Sequence, residues 1–401
     1  MYSVRRVNIG KTAQLDELAH ECGRLYSQTL VFFWRTVRHK GIWLKPKHLM
    51  QLFTSPKLHA HTADACVQAF FASLKSWRER RKTDPDAHPP RRRRYYFRIE
   101  YKSTAIRHKD GQLVLSNGKG NAPLVLTWPW ETPKTVVIHW TGTQYEAIAT
   151  YKVEVQAQPL GDKVAGIDLG EIHLAVSHDG EQTLILNGRL LRAKKQYQNK
   201  LKAKLQAKLD VKQKGSRHRK RLAKSKQKQL KKLRNQIADI EHKQTSRLVS
   251  TLHTVGVQTV VIGDVRDIRQ ELDVGTKTNQ KLHQWSPGSI RHKLTYKAEQ
   301  YGMQVALQEE AYTSQTCPGC GKRYKPRGRV YRCSACGFTF HRDAVGAINI
   351  RAKYQGKFGY SLVVADMAPA TGIRFAPHTH VAREQLRENV CVGNCTEAAG
   401  L

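Results

Sequence analysis

The chain has 401 residues, 40% of them apolar, enough for two or three domains with sizeable cores and too many for wholesale disorder. Its 69 Lys and Arg against 32 Asp and Glu give a net charge of +37. An enzyme of small neutral substrates gains nothing from such self-repulsion, whereas a polyanion neutralises it, so the charge points to nucleic acid. No run reaches the roughly 20 apolar residues of a membrane span, and the opening MYSVRR leads into no signal-peptide core. A cytoplasmic protein without a membrane partner is expected.

Residues 1–10 read as a short strand. From Lys11 to His39 apolar residues recur at helical spacing (Leu15, Leu18, Leu25, Leu30, Phe33), and Thr62–Arg81 repeats the pattern with Val67, Phe70, Leu74 and Trp77. The aromatics on these helices read as core. Pro85, Pro89 and Pro90 then break the pattern, and Arg91, Arg92, Arg93 and Arg94 run into Tyr95, Tyr96 and Phe97. That mix suits phosphate contact with base or sugar stacking; the plainer reading is a solvated linker. From about 95 to 158 the texture alternates. Strands are predicted at Gln112–Leu115, Leu124–Trp128, Thr135–Trp140, Tyr145–Thr150 and Lys152–Val155, with turns at Asp110-Gly111 and Asn117-Gly118. The result is a small antiparallel barrel or sheet, which the N-terminal strand joins, with the helices as an insertion.

Pro159 and Gly161 mark a boundary. Lys163–Gly170 is an apolar strand ending in Asp168 and glycine, followed by strands at Ile172–Ser177 and Thr183–Leu186. Three hairpin-linked strands with an acid on the first are how ribonuclease H-like domains begin. Residues 192–234 carry nineteen Lys or Arg and one acid, Asp210, yet keep a leucine stripe, so a cationic helix or helical hairpin is predicted. Its self-repulsion is relieved by phosphates, which makes Lys204, Lys208, Arg217, Arg219, Lys220, Arg221, Lys224 and Lys228 candidate nucleic-acid contacts. A strand at Val257–Asp264, a polar loop at 269–285, a helix through Ile290 and Leu294, and a strand at Met303–Glu310 follow. Ala344–Tyr354 reads as a helix, and 355–401 shows no pattern.

Two Cys-x-x-Cys pairs, Cys317/Cys320 and Cys333/Cys336, have the spacing of a tetrahedral Zn²⁺ site in a small ribbon. A ribbon this small needs the metal to fold. Cys391 and Cys395 are a weaker pair with no second partner pair. Phosphodiester hydrolysis assisted by Mg²⁺ needs converging carboxylates, because hard cations take oxygen ligands. In a sheet of strand order 3-2-1-4-5, Asp168 on the first strand stands beside the end of the fourth, and Asp343 opens the final helix. The fourth strand ends in Gly263-Asp264, where Gly263 offers no ligand and Asp264 points to the other face. The leading third carboxylate is Glu310, at the end of the fifth strand, ahead of Asp264 or no third ligand, which makes Asp168, Glu310 and Asp343 the expected catalytic and Mg²⁺-binding acids.

The order GIDLG, a basic helical segment, VVIGD, AYTSQTCPGCG, a second CxxCG and HRDAVGAINI resembles the TnpB proteins of insertion-sequence transposons, relatives of type V CRISPR effector nucleases. The resemblance covers residues 1–355, most closely 161–355. It implies an α/β and β architecture: a wedge-like β-barrel (1–10 and 91–160) carrying a helical recognition insertion (11–90), then a ribonuclease H-like RuvC domain (161–311 and 341–355). A zinc ribbon (312–340) interrupts that domain, and 356–401 is an extension. The resemblance also implies a guide RNA, target double-stranded DNA, structural Zn²⁺, catalytic Mg²⁺, and Asp168 and Asp343 as catalytic acids. The family's closing motif usually reads Asp-Arg-Asp, where this chain has His341-Arg342-Asp343, and Gly263 stands at the usual strand-4 glutamate. Glu310 matches relatives that carry this glutamate on the strand before the ribbon. The implied function is RNA-guided DNA cleavage; the alternatives are a nuclease-inactive guided repressor and a strand-joining transposase.

Overall fold

The computed structural model describes residues 2–93, 95–154, 157–266, 275–326, 328–360, 369–373 and 375. They divide into two compact units, one up to residue 154 and one from 157. Among these residues no helix is long and apolar enough to cross a membrane.

The first unit opens with β1 (Tyr2–Gly10), then α1 (Ala13–Lys40), α2 (Pro46–Leu52) and α3 (Ala60–Arg81). Six strands follow: β2 (Ile99–Lys102), β3 (Ile106–Lys109), β4 (Gln112–Leu115), β5 (Leu124–Thr127), β6 (Thr135–Trp140) and β7 (Tyr145–Lys152). Thr12 caps α1 by accepting from the Leu15 N–H, and Gly41 ends it in the left-handed region. Of the predicted strands at Tyr145–Thr150 and Lys152–Val155, the first is β7, which ends at Lys152; Val153 and Glu154 are not strand, and Val155 lies outside the described residues. In place of a barrel there are two antiparallel sheets, β1-β7-β6-β2 and β3-β4-β5. Alternating residues such as Tyr101, Leu113, Val136 and Ala147 bury themselves in a core common to both. Its polar tips are satisfied: Tyr101 donates to Asn117 at 2.8 Å and the Trp128 indole to the Tyr151 hydroxyl at 2.7 Å. Phe33, Phe70 and Trp77 pack α1 against α3 in a second cluster, so the helix aromatics are core.

The second unit contains β8 (Lys163–Asp168), β9 (His173–His178), β10 (Thr183–Asn187), α4 (Arg189–Asp210), α5 (Arg217–Thr254), β11 (Val257–Asp264) and α6 (Thr276–Gln284). It continues through α7 (Pro287–Gln300), β12 (Gln304–Glu309), β13 (Val330–Arg332), β14 (Thr339–His341), α8 (Arg342–Tyr354) and β15 (Thr371–Ile373). Its main sheet has the order β12-β11-β8-β9-β10-β15. The first five strands take the expected 3-2-1-4-5 order. Two expectations need correction: part of the polar loop at 269–285 is helical (α6), and the patternless C-terminal stretch supplies β15, parallel to β10.

Side-chain alternation assigns each face of β8 a task. Ala165 and Ile167 enter the large core beneath α5 and α7. Gly166 and Asp168 turn to α8. A Cβ at Gly166 would stand 2.2 Å from the Ala347 carbonyl oxygen, so only glycine lets α8 lie this close. The same approach brings Gly346 of α8 against the Asp168 carboxylate. The cationic hairpin α4–α5 is anchored at its root by buried Glu241, which pairs with Lys195 and Lys293, both at 3.0 Å.

Candidate active site and metal centres

Parallel strands β8 and β11 run in register, Ile167 beside Ile262, so Asp168 and Gly263 share the carboxyl edge of the sheet. Beyond β11, Gly263 and Asp264 pair with Gln308 and Glu309 of β12, and Glu310 follows immediately. The glutamate side chain reaches sideways across the end of β11. A Cβ placed on Gly263 would fall 1.7 Å from Glu310 Oε1, so this carboxylate occupies the space that a β11 side chain would need.

The three acids differ in electrostatics. Glu310 Oε1 is buried with no hydrogen-bond partner. Burial, then the negative charge of Asp264, pushes the Glu310 carboxyl up to about 7. Asp168 is also pushed well above the ordinary carboxylate range, by burial first and then by Glu310 and Asp343. Burial opposes ionisation of Asp343 too, but the His173 hydrogen bond, His341 and Arg342 hold it below its usual value. His173 Nδ1 lies 2.8 Å from Asp343 Oδ2. The three carboxylates act on one another electrostatically without all gathering within 4.8 Å, and the orphaned buried oxygen of Glu310 suits a hard divalent cation, which supplies the missing positive charge.

Asp264 is placed otherwise. Arg266 grips both its oxygens and Arg291 of α7 adds a contact at 3.3 Å, so its charge is already neutralised. Hydrogen bonding from Arg266 leads the causes that hold its carboxyl low. Of the two third-ligand candidates, only Glu310 has the unmet need.

The four cysteines converge. Cys317 and Cys336 sulfurs are 3.6 Å apart, as are Cys320 and Cys333, and all four lie within 4.8 Å of one another. These distances are too long for disulfides, and a tetrahedron with metal–sulfur bonds of about 2.3 Å has edges of about 3.8 Å. The donor set therefore fits Zn²⁺. Little else holds the ribbon: its apolar centre is Cys317, Tyr331, Cys333 and Val345, with the short β13–β14 ladder. Buried Asn349 of α8 ties it to the sheet, donating to the Thr313 and Thr316 carbonyls at 2.6 and 2.7 Å. That clamp fixes the turn leaving Glu310 onto the helix that carries Asp343. Cys391 and Cys395 lie outside the described residues.

The expected nucleic-acid residues are mostly free to meet phosphates. Lys204, Lys208, Arg217, Lys220, Arg221, Lys224 and Lys228 are exposed along α4 and α5. Arg219 is diverted: its guanidinium donates to the Leu209 and Lys212 carbonyls, closing the turn between the helices at the carboxyl end of α4. In the first unit Arg91, Arg92 and Arg93 are exposed, and Ser27 pins the backbone of Arg93 to α1. Beside them is a cavity of about 590 Å³ lined by His20, Arg24, Phe32, Arg35, Arg92 and Tyr95, a cationic rim with aromatic walls. Arg94 lies outside the described residues. His173 was missed by sequence reasoning, since within HLAVSH it looks like one more strand residue.

Comparison with known proteins matches both halves of this site. The family described as "Probable transposase" matches residues 148–269, with Asp168 and the cationic hairpin, and the "Cas12f1-like, TNB domain" matches 288–350, with Glu310, the cysteines and Asp343. A TnpB-like protein of Acidianus two-tailed virus is 30% identical over 57% of this chain and 50% of its own length. The CRISPR-associated endodeoxyribonuclease Cas12f1 of Sulfoacidibacillus thermotolerans is 24% identical over 61% of this chain and 59% of its own. The chain thus spans about half the length of these curated relatives. In fold, it is similar to Cas12f1 in a complex with sgRNA and target DNA, with a TM-score of 0.55 at 11% identity over 84% of this chain and 81% of that one.

Proposed function

The chain belongs to the TnpB family, and from that premise we propose that it is an RNA-guided, Mg²⁺-dependent DNA endonuclease of RuvC type. The observation that carries the proposal is the Glu310 carboxylate standing in the space of the missing β11 side chain, between Asp168 and the ribbon. It supplies a third acid where Gly263 has none, which favours a working centre over a nuclease-inactive repressor. On this reading residues 161–311 and 341–355 are the ribonuclease H-like domain and 312–340 the zinc ribbon. Residues 1–10 and 91–160 are the wedge-like part, 11–90 the recognition insertion and 356–401 an extension.

Asp168, Glu310 and Asp343 would hold the Mg²⁺. When bound, it lowers the charge barrier at the scissile phosphate and acidifies the attacking water. The chain's own contribution is placement. The Gly166 contact seats α8 on β8, Asn349 fixes the turn after Glu310, and His173 orients Asp343 and keeps it ionised. Cys317, Cys320, Cys333 and Cys336 would hold structural Zn²⁺. The hairpin cations and Arg91–Arg93 would bind phosphates of guide RNA and DNA, leaving sequence choice to base pairing.

The test is cleavage by full-length protein purified with RNA from its own locus, on DNA matching the guide and carrying randomised flanks, with Mg²⁺. Wild type should cut, and Asp168→Asn and Glu310→Gln should each lose at least about 100-fold in rate. Guide-dependent binding without cutting would replace the proposal with the repressor reading, and strand joining with the transposase reading. Cutting that survives Glu310→Gln but not Asp264→Asn would move the third ligand to Asp264.

A further inference from the structure

At the edge of the acid cluster lies a donor set of different chemistry. One ligand atom each from His173, His341 and Asp343 lies within 4.8 Å of the others. His173 comes from the start of β9, and His341 and Asp343 from the junction of β14 with α8. We propose that these three side chains bind a first-row transition-metal dication, for which Mn²⁺ is the spectroscopic probe, at a nitrogen-rich position beside the carboxylates of Asp168 and Glu310.

The geometry fits. His173 Nδ1 and Asp343 Oδ2 stand 2.8 Å apart, sharing a proton. Two ligands about 2.1 Å from a cation at right angles stand about 3.0 Å apart, so a cation can replace that proton with little movement. His341 makes only a long 3.3 Å contact, its Nδ1 accepting from the Asp343 N–H, and so gives up little on ligation. Its ring meets that of His173 edge-on, centroids 4.9 Å apart, which converges the two imidazoles without stacking them. His173 is buried, while His341 and Asp343 keep partial access to solvent, so the position is walled yet reachable.

The chemistry selects the ion. Mg²⁺ demands oxygen ligands and holds its water, whereas imidazole suits later divalent ions; two histidines with one carboxylate favour Fe²⁺ and later ions over Mn²⁺, which binds such ligands more weakly and serves as the paramagnetic probe. Soft thiolates of the ribbon bind Mn²⁺ poorly, so the two sites are separable by choice of metal. Asp343 turns Oδ2 to His173 and has Oδ1 3.5 Å from Arg342, so its two oxygens have different neighbours. The centre would then be asymmetric, one position for hard ions and one for borderline ions. This site stands or falls independently of whether the chain cuts DNA.

The probe is Mn²⁺ alone, added to zinc-loaded full-length protein freed of nucleic acid and read by pulsed electron paramagnetic resonance. Wild type should show ¹⁴N coupling from imidazole ligands. His173→Ala and His341→Ala should each weaken Mn²⁺ binding at least about 10-fold and reduce the coupling. Asp168→Asn and Glu310→Gln should keep it. His341→Asp retains a ligand and guards against collapse of the fold: Mn²⁺ should still bind, with one nitrogen fewer, and Mg²⁺ should displace it at roughly ten-fold lower concentration. Absence of ¹⁴N coupling in wild type, or coupling unchanged by both histidine substitutions, overturns the proposal and leaves His173 as a hydrogen-bonded positioning residue for Asp343.

Discussion

The four-cysteine segment and the acid edge of the sheet both bring candidate metal ligands near one another, yet they stand on opposite foundations. The ribbon's four cysteines surround an apolar centre of a few residues, two of them cysteines themselves. The acids stand on the edge of a six-stranded sheet whose core includes Ile167, Val260, Ile262, Leu248 and Leu294. In the first case a bound metal would stand in for a core; in the second a core holds carboxylates near one another against their repulsion. A cation should therefore create the ribbon and merely relieve the acid site.

The sharpest break between them is metal removal. Cys333→Ser, or stripping zinc from wild type, should unfold 312–340, with a loss on the order of 10 kcal/mol to that segment. Trypsin should then cut near the exposed Lys322, Arg323 and Lys325, while the sheet keeps its far-ultraviolet dichroism. Magnesium chelation should leave the ribbon resistant. If the two treatments give the same cleavage pattern, the contrast is wrong. A second break attacks the core side. Gly166→Ala drives a methyl to 2.2 Å from the Ala347 carbonyl, which helix α8 relieves only by moving off β8. The expected loss is about 3 kcal/mol in urea unfolding, and cation binding should fall with it because Asp343 moves too.

What could be read in advance follows how local each signal is. Cys317, Cys320, Cys333 and Cys336 announce themselves by spacing, and Asp168 by an acid closing an apolar strand. The sheet order was expected from the likeness of three hairpin-linked strands to the opening of ribonuclease H-like domains, and β8, β9 and β10 pair in that sequence. Glu310 stood ahead of Asp264 by strand position alone, but what separates the two in the structure, the space above Gly263 and Arg266 and Arg291 gripping Asp264, has no local signal. His173 was invisible because its partner is 170 residues away. Helix α6 has a single apolar residue, Leu282, and β15 is three residues whose ladder, among the described residues, is with β10. Such elements exist through tertiary pairing, which a local pattern does not encode.

The cost of burying an acid at this edge, with the charge of Asp264 added, is measurable at Glu310. Its carboxyl is raised to about 7, so between pH 4.5 and 7 the folded chain holds a proton that the unfolded chain has released. Stability from this group is present at acid pH and is lost as pH rises through that window. Glu310→Gln, which cannot ionise, should thus be more stable than wild type by about 2 kcal/mol at pH 8 without divalent ions, and no more stable at pH 4. Adding Mg²⁺ at pH 8 should raise the wild-type melting temperature and leave that of Glu310→Gln nearly unchanged. A variant less stable than wild type at pH 8 would mean that the carboxylate is held by something other than a cation.

A smaller effect of opposite sign sits behind the same helix. His178 ends β9, buried, its ring within reach of the Thr183 hydroxyl at 3.1 Å. Burial, and then the positive charge of Arg351, lowers its imidazole to about 4, with Asp179 opposing. Between pH 6.5 and 4 the unfolded chain takes up a proton that the folded chain refuses, so stability is full above 6.5 and falls as pH drops. His178 and Glu310 therefore pull in opposite directions across nearly the same range, one penalising acid and the other penalising base. Replacing His178 with Gln should flatten the acid side of the stability profile by about 1–2 kcal/mol at pH 5 relative to pH 8. The measure is the change in unfolding free energy between the two pH values, which cancels any packing loss common to both. If the profile keeps its wild-type slope, the imidazole is already protonated in the folded chain, and the core behind α8 tolerates a charge that the acid edge does not.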